Sequence, residues 1–454
     1  MIDETILLDL CNYIVDSGKK QGADHIEVLA QAQSEVESGV EMAEISQVSK
    51  NDLVEIAIRL VIGKRIGSAF TNIPTQEAAD QAIELAVSAA KVTTEDEDWN
   101  SFPMPSDNYP IVEGGWHEEV TSIDAGQIAV ISGKAIEQAA KAEPGLIPAF
   151  GGSGAIVFYM AYSNSNGTSC SDKGTVSYVF IGGVAQTKSG MTPSVHSFEI
   201  KRSMDLTIEK PVKDLADTIR ICKTSAKGIT GKHTVVMHPM AYNQLFGNTL
   251  IKSIRGDNVA RGKSKIGDKL GEKIASVKIT IVDNGIHPRG LSSSSSDDEG
   301  VPRQITPIIE KGVLRSFLWD TYWANKMGVA STGNAKRNMR QGLVEISPSN
   351  IVIEPGDRDI ESIISGIKDG YFIRGVQGAH SANPESGDFS IVGNPAMLIK
   401  DGKLVGAVHG LMVAGNIFDL LNQVQEVAKD PHYLQGVIGP EIIFKDVSLV
   451  AKED

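Results

Sequence analysis

The chain has 454 residues, of which 41% are hydrophobic and 22% are charged, as is ordinary for a globular protein of two or three domains. Its formal net charge of -14 disfavours binding to nucleic acid or to an anionic membrane by general electrostatic attraction. The start of the chain has no basic segment, and no apolar run approaches the roughly 18 residues that cross a bilayer. Three cysteines without a CxxC pair fit a reducing compartment, so we expect a cytoplasmic protein.

Two stretches of the N-terminal half share one order of elements, in which a helix is followed by three strands and a second helix. Hydrophobic periodicity predicts the first set at residues 3–20, 25–33, 41–50, 53–70 and 75–91. After an acidic connector near residues 93–116, the second set is predicted at residues 124–142, 155–163, 176–186, 197–206 and 212–227. We therefore expect an α+β fold, with an N-terminal domain of residues 1–230 made of two similar helix/three-strand/helix subdomains.

Residues 231–454 are expected to form a second, strand-rich domain with hairpins and a buried helix. The turn signals are glycine-containing dipeptides beside apolar runs, namely Asn284-Gly285, Lys311-Gly312 and Asp401-Gly402. The helix is predicted over residues 239–255 and is ended by Gly256. Its buried stripe contains Phe246, Leu250 and Ile254.

Two histidines near the start of this helix raise the question of a metal site. His233 and His238 are separated by an odd number of positions on a predicted strand, so they point to opposite faces. They could share a metal ion only with a bulge or a helix onset between them. Structural histidines are therefore the favoured interpretation.

Several long motifs of the chain are specific enough to indicate a family. They include GKHTVVMHPMAYNQLF at residues 231–246, DDEGVPRQITPIIEKG at residues 297–312 and STGNAKR at residues 331–337. With SNSNG at residues 163–167 and NPESGDFS at residues 383–390, they resemble the TldD/PmbA family of metalloprotease-related proteins. The resemblance covers essentially the whole chain.

The decisive difference from the catalytic TldD branch lies at residues 247–252, GNTLIK. In that branch an HExxxH helix precedes a G-x-S motif, which this chain keeps at Gly262 and Ser264. An ungapped overlay puts the two histidines on Gly247 and Lys252 and the glutamate on Asn248. The family's third ligand is a late cysteine, whereas the cysteines here are Cys11, Cys170 and Cys222. The chain therefore resembles the second branch, TldE/PmbA, which lacks the metal helix.

The chemistry of the three substituted positions explains why the difference matters. A catalytic zinc requires neutral imidazole or anionic ligands and a nearby carboxylate that takes a proton from water. Gly247 has no side chain, Asn248 is not a base, and Lys252 would place a cation beside the metal. Positions i and i+5 also stand about 140° apart on a regular helix, so HExxxH needs a local distortion to converge on one metal. Without those ligands, we expect no such distortion here.

The family resemblance implies a process and a partner. TldD and TldE together form a complex that cleaves unfolded peptides or short segments, with the zinc in TldD, and the family is linked to maturation of a peptide antibiotic and to modulation of DNA gyrase. We therefore expect a noncatalytic TldE-like subunit that has no catalytic residue, metal or cofactor of its own. Its partners would be an HExxxH-bearing TldD-like subunit, in a heteromer, and an unfolded peptide substrate, without direct binding to nucleic acid or membrane.

Two alternatives to the noncatalytic subunit stay open. The first is a homodimer or other self-associating form that binds peptides or regulates without an enzyme partner. The second is a hydrolase with another nucleophile, which is the least favoured because no Ser/His/Asp or Cys/His signature supports it.

The acidic motif DDEG carries a further expectation. Clustered carboxylates can hold a cation or raise one another's pKa, but a junction between a loop and a strand with a turn at Gly300 is the plainer interpretation. By resemblance the motif is shared between the catalytic and noncatalytic branches, which favours architecture or substrate positioning. The candidate substrate-positioning residues are Asp297, Asp298, Glu299 and Arg337.

Overall fold

The N-terminal half alternates long helices with long strands. The computed structural model describes residues 2–188 and 190–452, and within them no helix is both long and apolar enough to cross a membrane. The helices of this half are α1 (Glu4–Lys20), α2 (Gln76–Val92), α3 (Glu118–Thr121), α4 (Ala125–Ala142) and α5 (Glu209–Cys222). Its strands are β1 (His25–Glu41), β2 (Glu44–Ile62), β3 (Arg65–Thr71), β4 (Leu146–Asn164), β5 (Ser169–Thr187), β6 (Gly190–Met191) and β7 (Val195–Lys201).

These seven strands form one antiparallel sheet in the order β3-β2-β1-β4-β5-β6, with β7 also paired to β5. The predicted order of a helix, three strands and a helix is found in the first unit, α1-β1-β2-β3-α2. The second unit, α4-β4-β5-β6-β7-α5, has the two-residue strand β6 in addition. The two units meet at the centre, where β1 pairs with β4 from Glu27 opposite Asn164 to Glu41 opposite Phe150. They are therefore halves of one continuous sheet, because ladder hydrogen bonds join them edge to edge.

The strand boundaries of the first unit differ from the prediction. The prediction divides residues 41–70 near Asn51, whereas β2 runs through that position without a break. The turns lie instead at Gly63 and at Met42-Ala43. Met42 and Ala43 have φ values of 50° and 65°, a left-handed conformation that such residues rarely adopt, so their identity gives no turn signal.

Helix α1 illustrates how the sequence directs the packing of this half. The Asp3 carboxylate caps the helix by accepting hydrogen bonds from the backbone N–H groups of Thr5 and Ile6 at 3.1 and 3.0 Å. Hydrophobic periodicity predicts an apolar stripe of Ile6, Leu7, Leu10, Cys11 and Ile14. All of these except Ile6, which is exposed, are buried against the sheet, together with Val15. Burial raises the pKa of the Cys11 thiol, which fits a packed core residue.

The C-terminal half is rich in short strands. Its helices are α6 (Pro239–Asn248), α7 (Leu250–Ser253), α8 (Gly256–Ala260), α9 (Thr321–Met327), α10 (Ile360–Ser365) and α11 (Ile417–Asn422), with a 3-10 turn at Ala379–Ser381. The strands up to residue 377 are β8 (Gly231–Met237), β9 (Ile281–Asn284), β10 (Ile305–Glu310), β11 (Val313–Leu314), β12 (Ala335–Arg337), β13 (Val344–Ile346), β14 (Ile351–Ile353), β15 (Asp369–Ile373) and β16 (Val376–Gln377). The remaining strands are β17 (Asp388–Gly393), β18 (Ala396–Lys400), β19 (Lys403–Val408), β20 (Met412–Asn416), β21 (Val424–Val427), β22 (His432–Leu434), β23 (Val437–Gly439) and β24 (Ile442–Val450).

These strands form two larger sheets and one ribbon. One sheet has the order β16-β17-β20-β24-β8-β15-β18-β19, with β21 paired to β24, and the other has the order β11-β10-β9-β14-β23-β22. The ribbon is β12-β13. The predicted hairpin turns are confirmed: Lys311-Gly312 joins β10 to β11, and Asp401-Gly402 joins β18 to β19, each with positive φ at both residues.

The predicted helix over residues 239–255 is interrupted. Its stripe is buried as expected, with Phe246, Leu250 and Ile254 in the core. However, α6 ends at Asn248, and Thr249 has φ -128° and ψ -84°, outside the helical region. Gly256 begins α8 and does not end a helix. A Cβ at Gly256 would lie 2.0 Å from the Trp319 ring, so this glycine allows a close approach.

Candidate functional site

The three positions that the sequence overlay assigns to the metal helix lie where α6 meets α7. Gly247 and Asn248 are in the last turn of α6, Lys252 is in α7, and the irregular Thr249 separates them. All three are half-buried, and the Asn248 side-chain amide donates to the Gln244 carbonyl at 2.9 Å. The expectation of an undistorted helix is therefore wrong, because the break is present although the metal ligands are not.

A cavity of about 380 Å³ opens beside Lys252. Its other lining residues are Ile251, Arg255 and the segments 336–338 and 345–348. Basic residues outnumber acidic residues in this lining. Glu345 is its one acidic residue, and its basic residues are Lys252, Arg255, Lys336 and Arg337. Three of the four cations are paired with carboxylates, however, so the residue count alone does not make the lining positive.

A buried ion-pair network joins the N-terminal sheet to the loops of the other half. The carboxylate of Glu27, on β1, accepts from Arg59 Nε at 2.6 Å, from the Tyr162 hydroxyl at 2.6 Å, and from Arg337 Nη2. Arg59 Nη2 also donates to Glu299 Oε1 at 2.9 Å. Burial acts to raise the pKa of Glu27, but the guanidinium groups of Arg337 and Arg59 outweigh it and hold that pKa below its usual value.

Arg337 and Glu299 thus belong to one network, which the sequence did not reveal. Its remaining members, Glu27, Arg59 and Tyr162, lie on β1, β2 and β4, far away along the chain. The Arg337 side chain is fully buried, and its Nε and Nη1 atoms lack a hydrogen-bond partner among the described residues. The carboxylate of Glu27 is therefore the main group that compensates the positive charge of Arg337.

Asp297 organises the turn of the DDEG motif. Its Oδ1 accepts from the backbone N–H groups of Glu299 and Val301, both at 2.9 Å. Its Oδ2 accepts from the backbone N–H of Ala335, also at 2.9 Å. The carboxylate is fully buried and ties the motif to β12, as expected of an architectural residue.

Asp298 makes a comparable link one residue later. Its Oδ2 accepts from the backbone N–H of Arg337 at 2.8 Å and lies 3.0 Å from Lys336 Nζ. Unlike Asp297 and Glu299, it lines a cavity of about 440 Å³ between the N-terminal sheet and the segment 291–294. The four candidate substrate-positioning residues are thus close together, and Asp298 lines this larger cavity.

Replacing Asp297 with asparagine is expected to change how stability depends on pH. Burial raises the pKa of Asp297 from 3.8 to about 7, while Arg303 opposes and Glu299 adds to the shift. A carboxyl group with a raised pKa stabilises the fold below its unfolded pKa, and this contribution is lost as the pH rises through the folded pKa. Between pH 5 and 8, the wild type should therefore lose roughly 2–3 kcal/mol of unfolding free energy relative to D297N.

Urea unfolding across this pH range measures the difference. The matched control is D9N, which changes an exposed aspartate on α1. Parallel pH profiles for D297N and the wild type would contradict the predicted protonation of Asp297.

Comparisons with known proteins decide the family. Residues 230–451 match the PmbA/TldA metallopeptidase C-terminal domain, and residues 26–90 match PmbA/TldA metallopeptidase domain 1. The crystal structure of TldE from Thermococcus kodakarensis superposes with a TM-score of 0.92 at 31% identity, over 97% of this chain and 100% of that one. The chain belongs to the TldD/PmbA family.

Other relatives of this TldD/PmbA protein extend the comparison. An uncharacterized protein of Methanocaldococcus jannaschii is 27% identical over 95% of this chain and 98% of its own length. A metalloprotease of the same organism is 30% identical over 46% of each chain. A structure from Thermotoga maritima, 24% identical with a TM-score of 0.88, shares the fold over 97% of this chain.

The metal of the family's peptidases does not fit the α6–α7 junction of this member. A zinc ion needs three protein ligands, and Gly247, Asn248 and Lys252 provide neither an imidazole nor a carboxylate. Space is not the obstacle, since a Cβ at Gly247 would meet no atom within 4 Å. The missing donor groups are the obstacle, so these three residues cannot hold a catalytic zinc.

A different group of side chains has the donors that a metal ion requires. His238, His432 and Glu441 each offer one ligand atom, and these atoms lie within 4.8 Å of one another. His432 Nε2 is 3.0 Å from Glu441 Oε1, and the His238 and His432 rings meet edge to face at 4.5 Å between centroids. Burial lowers the pKa of His238 well below its usual range, and the charge of Arg374 adds to the shift. The group could hold a metal ion.

The sequence predicts that His233 and His238 do not share a metal ion, and in the structure the two side chains do lie apart. His233 lies on β8 and contacts the Tyr371 ring edge to face at 5.2 Å, apart from the metal-capable group. His238 follows the strand as the N-terminal cap of α6, and its two companions come from β22 and from the junction between β23 and β24. No local spacing joins these three residues, so the sequence carried no signal for them.

Proposed function

We propose that this chain is the noncatalytic, TldE-like subunit of a cytoplasmic zinc metalloprotease complex that cleaves unfolded peptides. A TldD-like partner with an intact HExxxH motif carries the zinc and the general base. One observation carries the proposal: the chain superposes on a TldE structure over 97% of its length, and the positions assigned to the metal helix hold Gly247, Asn248 and Lys252. Loss of every donor in a preserved scaffold is typical of a subunit that keeps a binding or assembly role.

The peptide surface of this proposal is the cavity between the two halves of the chain. Apolar side chains, including Leu53, Phe158 and Met160, line one part of it, and charged ones, including Asp298 and Arg303, line another. A mixed lining of this kind accepts varied side chains, while hydrogen bonds to the peptide backbone supply affinity that does not depend on sequence. Within this proposal, Asp298 is the acidic residue of the DDEG motif that meets the substrate.

Arg337 has a different role in the same proposal. Its side chain is closed off by the network with Glu27 and Arg59, so it positions β12 from within. The backbone of β12 then carries Lys336, which lines both cavities. Asp297, Glu299 and Arg337 therefore support the peptide surface and do not touch the peptide.

The tagged chain is expected to form a stoichiometric complex when expressed with an HExxxH-bearing paralogue from the same genome. Size-exclusion chromatography with light scattering gives the mass of the complex, and mass spectrometry gives its composition. The paralogue expressed alone is the control for nonspecific retention. A stable homo-oligomer that excludes the paralogue would overturn the proposal in favour of a self-associating peptide-binding protein.

A further inference from the structure

We propose that His238, His432 and Glu441 form a zinc-binding site, separate from the degenerate position at residues 247–252 and independent of the proposed function. The three residues come from the α6 N-terminus, from β22 and from the junction between β23 and β24. A metal ion bound by these residues would cross-link three separate segments of the C-terminal half.

The geometry needs little adjustment to bind zinc. Two ligand atoms of a tetrahedral zinc are about 3.4 Å apart, because each lies about 2.1 Å from the metal. His432 Nε2 and Glu441 Oε1 are already 3.0 Å apart, and the His238 ligand atom lies within 4.8 Å of both. A movement of the His238 ring by up to about 1.4 Å, the difference between 4.8 Å and 3.4 Å, completes the ligand set.

The donor set selects the type of ion. Two imidazole nitrogens and one carboxylate oxygen suit zinc and disfavour magnesium and calcium, which prefer oxygen ligands throughout. Three protein ligands leave a fourth position, which water can occupy. Ions reach the site from the side of His432, whose side chain is 40% exposed, while His238 and Glu441 are buried.

The surrounding charges permit a cation. Arg374 is the positive group near His238, and it is paired with Asp214 through Nη2 to Oδ2 at 2.5 Å and Nη1 to Oδ1 at 3.1 Å. Its Nη2 also donates to the His196 carbonyl at 3.0 Å. Glu441 is buried, and its carboxylate faces His432, so a metal ion would meet its negative charge directly.

The rival interpretation is that His238 serves only as a helix cap. Its Nδ1 accepts a hydrogen bond from the backbone N–H of Met240 at 3.2 Å. Metal binding through either ring nitrogen disrupts this bond, because Nδ1 either ligates the metal itself or takes up the ring proton. Asparagine caps helices well, so H238N keeps the cap and removes the imidazole. This substitution separates the two roles.

Zinc retention by the full chain tests the proposal. Wild type, H238N, H432Q and E441Q are stripped with chelator, loaded with zinc, dialysed and measured by elemental analysis. The matched controls are H409N, at an exposed histidine, and K252A, at the degenerate position. We expect about one zinc per chain in the wild type and both controls, and at least tenfold weaker binding in the three site variants.

Two further readouts guard against loss of structure. Circular dichroism of the metal-free variants checks that each one is folded. H432Q changes the most exposed of the three ligands, so it is the variant least expected to disturb the fold. Cobalt bound to the wild type should give the intense visible absorption of a tetrahedral site, and this band should be absent in H432Q. Absence of zinc retention in the wild type, or retention of it in folded H432Q and E441Q, would overturn the proposal.

Discussion

Replacing Glu27 with glutamine is expected to lower the free energy of unfolding by about 3–5 kcal/mol, because it leaves a buried cation without its partner. The side chains of Glu27 and Arg337 are both fully buried, and Arg337 Nη2 donates to the Glu27 carboxylate. Arg59 keeps Glu299 as a second partner in the variant, whereas Arg337 has two side-chain nitrogens that already lack partners among the described residues.

Urea unfolding of the wild type and E27Q measures this effect. E41Q is the matched control, because Glu41 is exposed at the end of the same strand, and it should change the stability by less than about 0.5 kcal/mol. The double variant E27Q/R337M should recover part of the loss, since it removes the uncompensated charge. A loss below about 1 kcal/mol in E27Q would show that the network contributes little to the fold.

The largest effect on activity is expected from the partner subunit. A competent peptidase accelerates cleavage by roughly 10⁶-fold or more over the uncatalysed reaction, and it does so with a metal-activated water and a general base. This chain lacks both at the α6–α7 junction, so the isolated protein is expected to show no turnover above background. Addition of an HExxxH-bearing TldD-like partner should produce cleavage that chelators abolish.

A ligand-restored variant sharpens this expectation. The change G247H/N248E/K252H returns the HExxxH residues, and there is room for a side chain at Gly247. We still expect no competent enzyme, because the third ligand, a late cysteine in the catalytic branch, and the groups that orient the ligands remain absent. If this variant cleaved peptides without a partner subunit, the three substitutions would suffice to recover the catalytic site.

Elements with strong local signals were predicted well. Helix α1 has a capping aspartate and a regular apolar stripe, and its predicted and observed ranges agree to one residue. The Asp401-Gly402 turn was predictable because both residue types tolerate the left-handed backbone that a tight hairpin requires. The turn at Met42-Ala43 was not predictable, because the pairing of β1 with β2 imposes it on residues without that preference.

The candidate sites depended on contacts that sequence patterns do not report. The absence of metal ligands at residues 247–252 could be identified from the sequence, because it depends only on which residue types occupy positions of fixed spacing. The break at Thr249 was not predicted, because the apolar residues Phe246, Leu250 and Ile254 continue through it with helical spacing. The pairing of Glu27 with Arg337 and the approach of His432 to His238 join distant segments, and nothing near either residue in the sequence marks them.

Peptide cleavage by the isolated chain is the decisive test of whether this subunit is noncatalytic. The substrate is an unfolded, fluorescently labelled protein, and the preparation is checked by mass spectrometry for traces of a partner. Reactions contain the chain alone, the HExxxH-bearing partner alone, or both, each with and without chelator. We expect background rates for the chain alone and chelator-sensitive cleavage that is fastest for the mixture. Robust turnover by the isolated chain would contradict its assignment as a noncatalytic subunit.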